Sequence, residues 1–390
     1  MLRISDAERR NRLAIRHGLA APFATVAEVA DALVGLHGSD PATVFLSLRA
    51  RMEGITIEDI ESALYDRAEL WRIWSMRRTM FMVPPDLASI MYAAATRDVV
   101  ADERRKLLKM FRANNATIDA EEWLERVAGA CMAYLEEVGT ATTAEMKKNV
   151  DGLDIKLTVR QGTGPEVTTS LASRLLMLLA MDGRVAKGRP AGTWRSSQYE
   201  WLSLQAWAGE SLADVSTTDA ETQLVSRWLA AYGPGSFEDI KWWTGWTVAK
   251  TRRALELVGA EEVVLECGTG FILPNDSGQV PDPEPWVALL PGLDPSVMGW
   301  KERGWILGDL AGWLFDRNGN AGPTAWANGE IVGGWAQRPD GSIAVGILRD
   351  PGAEARVSLN LEAARLSDWM GPVNLRSRFP SPYEKQLRNG

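Results

Sequence analysis

Apolar residues recur at helical spacing through much of the first 275 residues, and the helical stretches come in groups that end in a short β hairpin. In the first group, residues 24–84, the segments TVAEVADALVGL, 41–52 and TIEDIESALYDR each predict a helix. The segment LWRIWSMRRTMFMV that follows predicts a pair of strands. Helix, helix, helix, hairpin is the order of a winged helix, so the first group predicts one such unit.

The same order returns twice further along the chain. Residues 137–202 contain a short helix in TTAEMKKNV, a longer one in VTTSLASRLLMLLAMDG and a hairpin in RVAKGRPAGTWRSSQYEWL. Residues 218–273 contain three helices, in DAETQLVSRWLAAYG, SFEDIKWWTGW and TVAKTRRALELVG, and the hairpin EEVVLECGTGFILP. Each unit is too short to bury a large core alone, so we expect the three to pack on one another.

Residues 282–370 have a different character, with dense Gly, Pro and Trp. Short β runs such as WVALLPG, PTAWANGEIVGGW and SIAVGILRD alternate with turns, and Asn328-Gly329 is a strong signal for a two-residue hairpin. A partly closed β-barrel or a small sheet domain fits this pattern. The expected fold is therefore α+β, with three tandem winged-helix units followed by a barrel-like domain. The expected boundaries are 1–130 for the first unit and a helical extension, 131–212 for the second, 213–278 for the third and 279–390 for the β-rich domain and tail.

Composition narrows the class of protein. The chain has 390 residues, 46% apolar and 24% charged, which is typical of a soluble globular protein. It has no run of eighteen apolar residues, and charges are spread through its first twenty residues, so we expect neither a membrane span nor a secretory signal. Cys131 and Cys267 are far apart and have no ligand spacing around them. We expect a cytoplasmic monomer that uses no metal and no cofactor.

Charge and aromatic content bear on possible partners. The net charge of −8 argues against a nonspecific nucleic-acid coat but leaves room for a local basic groove. Six arginines fall within thirty residues, namely Arg49, Arg51, Arg67, Arg72, Arg77 and Arg78. They either form a basic strip that lines such a groove or pair with some of the 51 acidic residues. The seventeen tryptophans indicate large packed interfaces and possible stacking surfaces.

The segment ALVGLHGSDP places a rare histidine at a helix boundary. Asp40 is a good N-cap and Pro41 suits the first helical position. A helix N-terminus disfavours a protonated imidazole, so we expect His37 to be neutral. On an extended approach His37 and Ser39 project to the same side and could hold one water between them. The alternative is that His37 is a structural residue beside the cap and that Asp40 only caps the helix.

Several motifs together carry a resemblance to a known family. They are GLHGSDP, RTMFMVP, LAAYGPGSFEDIKWWTG, LLPGLDPSVMGWKER, GEIVGGW and RFPSPYEKQL. In this order and spacing they resemble the AlkZ-like (YcaQ-like) DNA glycosylases, a winged-helix family that removes bulky alkylated purines and unhooks interstrand crosslinks. The resemblance covers nearly the whole chain. It implies three winged-helix units and a β-barrel arranged as a C-shaped clamp on double-stranded DNA.

The resemblance also implies where the chemistry lies. The family motif is Gln, an apolar residue, then Gln or Asp, just before a helix of the first unit; the matching residues here are His37, Gly38 and Ser39, so both family side chains are replaced. A neutral His can position a water and accept its proton much as an amide oxygen positions it. The expected catalytic residues are His37, Ser39 and Asp40. The expected DNA-contacting residues are Arg49, Arg51, Arg77, Arg78, Thr79, Arg317, Asn318 and Asn320.

The function predicted from these observations is hydrolysis of the N-glycosidic bond of bulky N7-alkylated or crosslinked guanine. Self-resistance to a DNA-alkylating natural product is one biological setting for it. The sequence places no lysine as an amine nucleophile, which favours a monofunctional glycosylase. A noncatalytic DNA-binding protein, either a lesion sensor or a transcriptional regulator, is the first alternative. A protein-interaction scaffold is the second, because it fits the acidic net charge.

Overall fold

The computed structural model describes residues 1–115, 117–160 and 166–390. Helices make up 49% and strands 17% of it, so the predicted α+β class is confirmed. In the described ranges, no helix combines the length and the apolar character needed to cross a lipid bilayer.

The first group of elements surrounds a three-stranded sheet. Its elements are α1 (Asp6–Arg16), α2 (Val26–Ala32), β1 (Leu36–His37), α3 (Pro41–Arg49), α4 (Ile57–Glu61), β2 (Trp71–Trp74), β3 (Met80–Val83), α5 (Pro85–Met91) and α6 (Arg97–Asn114). One π-helical turn extends α4 and a second joins α5 to α6. The strand order is β1-β3-β2, all antiparallel. The two-residue strand β1 therefore attaches the start of α3 to the predicted hairpin.

The second group contains an additional hairpin. Its elements are α7 (Ala120–Val138), β4 (Thr140–Ala141), α8 (Thr143–Asn149), β5 (Lys156–Arg160), β6 (Glu166–Ser170), α9 (Leu171–Met181), β7 (Val185–Pro190), β8 (Tyr199–Ser203) and α10 (Leu204–Ala208). The segment VTTS, which we predicted as helix, belongs to β6 instead, and the helix begins only at Leu171. Consecutive β-branched residues favour a strand, which explains the difference.

The third group has the predicted order of three helices and a hairpin. Its elements are α11 (Thr217–Tyr232), α12 (Phe237–Thr244), α13 (Val248–Val258), β9 (Glu261–Leu265) and β10 (Gly268–Ile272). Ser236 starts α12 with a capping box in which the Asp239 side chain reaches back to the cap. Gly245 and Gly259 end α12 and α13 in the left-handed conformation, which costs glycine little.

The last part of the chain contains a four-stranded antiparallel sheet in the order β11-β12-β13-β14. Its elements are β11 (Val287–Leu290), α14 (Pro295–Met298), α15 (Gly304–Leu307), α16 (Ala311–Leu314), β12 (Thr324–Ala327), β13 (Glu330–Gln337), β14 (Ile343–Ile347), α17 (Ala353–Met370) and α18 (Pro382–Asn389). Asn328 and Gly329, at φ 49° and 87°, form the predicted tight turn. The long helix α17 departs from the β-rich character predicted for residues 282–370.

Two of the core clusters run between these groups, whereas a third lies mainly within α6 and the second group. The largest cluster combines Trp71 of β2, Trp228 of α11, and Trp300 and Trp326 of the last part, each almost completely inaccessible to solvent. Burying indole rings of this size gives large apolar contact areas. The tryptophan content therefore does mark packed interfaces between the groups, as the composition predicted.

Candidate functional site

His37 lies at the end of β1, where the chain turns into α3. It is opposite Phe81 in the neighbouring strand, and the Gly38 N–H donates to the Met80 carbonyl at 2.7 Å. A Cβ at position 38 would lie 3.3 Å from that carbonyl oxygen, so the absence of a side chain permits this close approach. The sheet thus fixes the backbone on the N-terminal side of Ser39.

Asp40 caps α3, as the sequence predicted. Its Oδ1 accepts the Ala42 N–H at 3.1 Å, and its Oδ2 accepts the Arg378 N–H at 3.2 Å. The Arg378 guanidinium donates from Nη1 to the Ser39 carbonyl at 2.9 Å. Burial raises the pKa of Asp40, and the two backbone N–H groups and the Arg378 charge offset only part of this effect. Both carboxylate oxygens are therefore engaged, and Arg378 of the segment before α18 contacts Ser39 and Asp40.

The imidazole of His37 is neutral at physiological pH. Burial and, as the smaller cause, the positive charge of Arg77 together lower its pKa to about 4. Sequence reasoning had attributed the lowered pKa to the N-terminus of α3, whereas desolvation and Arg77 are the main causes. A neutral His37 is therefore expected from its burial and from the nearby charge of Arg77.

One hydrogen bond assigns the tautomer of His37. The Ser39 N–H lies 3.4 Å from Nδ1, so Nδ1 is the acceptor and the ring proton is on Nε2. A separation of 3.4 Å is at the long limit for a hydrogen bond, so the Ser39 N–H engages Nδ1 only weakly. Nδ1 and the hydroxyl of the same Ser39 are therefore available to a small polar ligand such as water.

An NMR titration checks this electrostatic assignment. We expect the His37 ring to remain the neutral Nε2–H tautomer from pH 8 to pH 5.5 and to begin to protonate only below about pH 5. Arg77→Gln should raise the pKa of His37, because it removes a neighbouring positive charge. The chain has only His17 besides, so His37→Gln assigns the signals. A His37 signal that titrates near pH 6.5 would contradict the assignment.

Arg77 and Arg78 lie at the tip of the β2–β3 hairpin, between the strands and not in a strand as predicted. Both have positive φ, 54° and 59°, an uncommon conformation for residues with long side chains. The Ser75 N–H donates to the Thr79 carbonyl at 2.9 Å and closes the tip, and the Thr79 hydroxyl donates back to Met76. Thr79 thus stabilises the turn, while both arginines are exposed.

Two other arginines of the predicted strip are not on an open surface. Arg51 is fully buried and forms a bidentate ion pair with Asp294, at 2.7 and 3.0 Å. Arg49 is ion-paired with Glu362 of α17, and both side chains are largely covered. For these two residues the alternative interpretation applies, in which an arginine pairs with an acidic residue. We therefore leave them out of the proposed DNA-contacting surface.

The loop between α16 and β12 holds the other predicted DNA contacts. Asp316 organises it, because its Oδ1 accepts the N–H groups of Asn318 and Asn320 at 2.8 and 2.9 Å. The Asn320 amide also donates to Asp316, so this side chain is used within the loop. Arg317 and Asn318 are exposed at the tip. Contact of these two residues with DNA stays a prediction.

The Asn328-Gly329 turn, by contrast, is packed. The Asn328 side chain accepts the Trp286 N–H at 2.9 Å, and a Cβ on Gly329 would lie 2.5 Å from Cβ of Arg10. Gly329 is thus buried against α1, whereas Asn328 is exposed at the surface, and the turn joins β12 to β13.

The structure adds cationic residues that sequence reasoning did not single out. Arg303 lies 5.2 Å from the ring centre of Trp242 and 4.8 Å from that of Phe315. Burial, together with the charges of Arg72 and Arg378, lowers the pKa of Lys187 to about 8. The motifs GWKER and RFPSPYEKQL already contained Arg303 and Arg378, but no local pattern set these residues apart. In the described ranges, no group of three or more His, Cys, Asp or Glu side chains could hold a metal ion.

Comparison with known proteins places the chain in a family. A family model described as DNA glycosylase AlkZ-like matches residues 30–369. No curated protein matches the chain. Among solved structures, the Streptomyces sahachiroi DNA glycosylase AlkZ is similar with a TM-score of 0.71 and 19% identity, over 97% of this chain and 99% of that one. At this identity the structural likeness shows the fold, and the family match covers most of the chain. The chain belongs to the AlkZ-like DNA glycosylase family.

Proposed function

We propose that this protein hydrolyses the N-glycosidic bond of bulky N7-alkylated guanine in duplex DNA, crosslinked guanine included. The observation that carries the proposal is the neutral His37, whose weakly occupied Nδ1 lies beside Ser39 at the position of the family's catalytic motif. The clamp on DNA that the resemblance implies belongs to the same proposal. Its biological setting would be resistance to a DNA-alkylating natural product.

The substrate makes modest chemical demands on such a site. Alkylation at N7 gives the guanine a positive charge, so the electron pair of the C1′–N9 bond leaves with the base and neutralises it. The sugar becomes an oxocarbenium ion, to which a water oxygen adds at C1′. The enzyme has to position that water, take up its proton and hold the sugar in place.

His37 and Ser39 can meet these demands. A water between Nδ1 and the Ser39 hydroxyl would donate one proton to each, and its oxygen lone pair would point to C1′. When the C–O bond forms, Nδ1 takes one proton. The imidazolium is then unstable beside Arg77, which favours release of the proton to solvent. No lysine takes part, so the product is an abasic site in an intact strand.

A panel of duplexes tests the proposal. Each would carry N7-methylguanine, one of several bulky N7 adducts, an interstrand crosslink or no lesion, and abasic sites would be scored after short incubation. We expect base release from bulky adducts, none from undamaged DNA, and strand breaks only after alkali treatment. Strong duplex binding without release from any adduct would instead favour the noncatalytic alternative, to which the replacement of both family side chains gives some support.

A further inference from the structure

Two arginines from distant parts of the chain share one indole ring. The guanidinium carbon of Arg77, at the hairpin tip, lies 4.2 Å from the ring centre of Trp242 in α12. That of Arg303, just before α15, lies 5.2 Å from the same ring and also contacts Phe315. Three groups of elements therefore meet at Trp242, and each brings either a cation or an aromatic surface.

The two guanidinium groups have no acidic partner among the described residues. Arg78, beside Arg77, is 3.1 Å from Glu103. Arg303 makes a 3.2 Å hydrogen bond to the Val297 carbonyl and a long contact to a methionine sulfur. The arginine pair thus lacks the acidic partner that Arg78 has.

Asp239, the carboxylate whose charge acts on Arg303, already accepts hydrogen bonds at both oxygens. Its Oδ1 accepts the backbone N–H groups of Lys301 and Glu302 at 2.8 and 2.7 Å, and its Oδ2 accepts that of Ser236. The pKa of Arg303 is lowered to about 10, mainly by burial; the charge of Asp239 opposes the shift, and the charge of Arg77 contributes to it. An anion bound between the arginines would relieve this repulsion.

The arginine pair is also connected to the candidate catalytic residue. The ring centre of His37 lies 5.8 Å from that of Phe81, and the Phe81 ring centre lies 6.3 Å from that of Trp243. Trp243 is the residue after Trp242 in α12. Arg77 is moreover the charge that lowers the pKa of His37. On the other side, Phe315 pairs with Ala321 at the base of the exposed loop. An anion at the arginine pair would lie between the motif and this loop.

We propose that Arg77 and Arg303 together bind one phosphodiester group of DNA beside the target nucleotide, with Trp242 holding both side chains. A guanidinium that stacks on an indole keeps its N–H groups in the plane and directs them outward, which suits two-point contact with phosphate oxygens. The proposal rests on the proposed function insofar as its ligand is duplex DNA. It adds a site built from three parts of the chain, of which only Arg77 was predicted.

Salt-dependent binding to an undamaged duplex tests the site without any need for base release. We expect Arg77→Gln and Arg303→Gln each to weaken binding several-fold. The double variant should lower the slope of log K against log salt by about one, because a single phosphate contact is lost. Arg356→Gln is the matched control and should leave both quantities unchanged, because Arg356 of α17 forms an exposed ion pair with Asp350. Circular dichroism would verify that all variants are folded.

The outcomes separate the two proposals. A wild-type slope in the folded double variant would overturn the phosphate site while leaving the glycosylase proposal intact. A slope reduced by about two would overturn the shared site, because it would indicate two separate phosphates. Failure of the wild-type protein to bind any duplex would overturn the proposed function and this site with it.

Discussion

Replacing His37 with alanine is expected to lower the rate of base release from a bulky N7-alkylguanine duplex by about 10²- to 10³-fold, the range typical of a lost positioned acid or base. Binding of the same duplex should change little, because the imidazole acts on the water as the bond breaks rather than on the bound DNA. Single-turnover excision and equilibrium binding, measured on one preparation, would separate the two effects.

Two substitutions at the motif serve as matched comparisons. Ser39→Ala should cost about tenfold or less, since a second water can replace one hydroxyl. His37→Gln restores the first residue of the family motif and supplies an amide oxygen as acceptor, so we expect it to retain more activity than His37→Ala. If His37→Ala excises at the wild-type rate, the imidazole is structural, and Asp40→Asn becomes the next variant to make.

Local features of this chain could be predicted because their causes lie within a few residues. Asp40 and Pro41 start α3 as the capping rules require. Asn328 and Gly329 form the tight turn because both tolerate positive φ. The order of helices and hairpins was predicted from hydrophobic spacing alone. The structure has the predicted order in the third group, where that spacing is clear.

The functional assignment of the arginines could not be predicted in the same way. In sequence, Arg49, Arg51 and Arg77 belong to one cluster of positive charge. In the structure, Arg51 meets Asp294, which is 243 positions away in the chain, and Arg77 meets Trp242. Whether an arginine is buried, ion-paired or exposed to solvent depends on such distant partners. A local sequence pattern therefore cannot predict it. The same holds for Arg378, whose contact with Ser39 spans 339 positions.

The buried ion pair of Arg51 and Asp294 leads to the largest stability prediction. Burial alone would raise the pKa of Asp294, but the charge and hydrogen bonds of Arg51 and the donors Ser47 and Ser296 outweigh it, so the pKa is lowered. Arg51→Met leaves a carboxylate without its cation in a site closed to water. We expect a loss of about 3 to 5 kcal/mol in the free energy of unfolding, measured by urea denaturation.

Arg105→Met is the control for this prediction, because Arg105 pairs with Asp102 on the exposed face of α6; its loss should cost less than about 1 kcal/mol. The pH dependence of the free energy of unfolding distinguishes an unpaired buried carboxylate from a loss of packing. Without Arg51, the pKa of Asp294 in the folded protein should rise above its unfolded value, so the folded state binds the extra proton. The destabilisation should therefore shrink as the pH falls from 8 toward 5. A loss that is the same at both pH values would mean that Arg51 contributes through packing, and that Asp294 finds compensation in Ser47 and Ser296 alone.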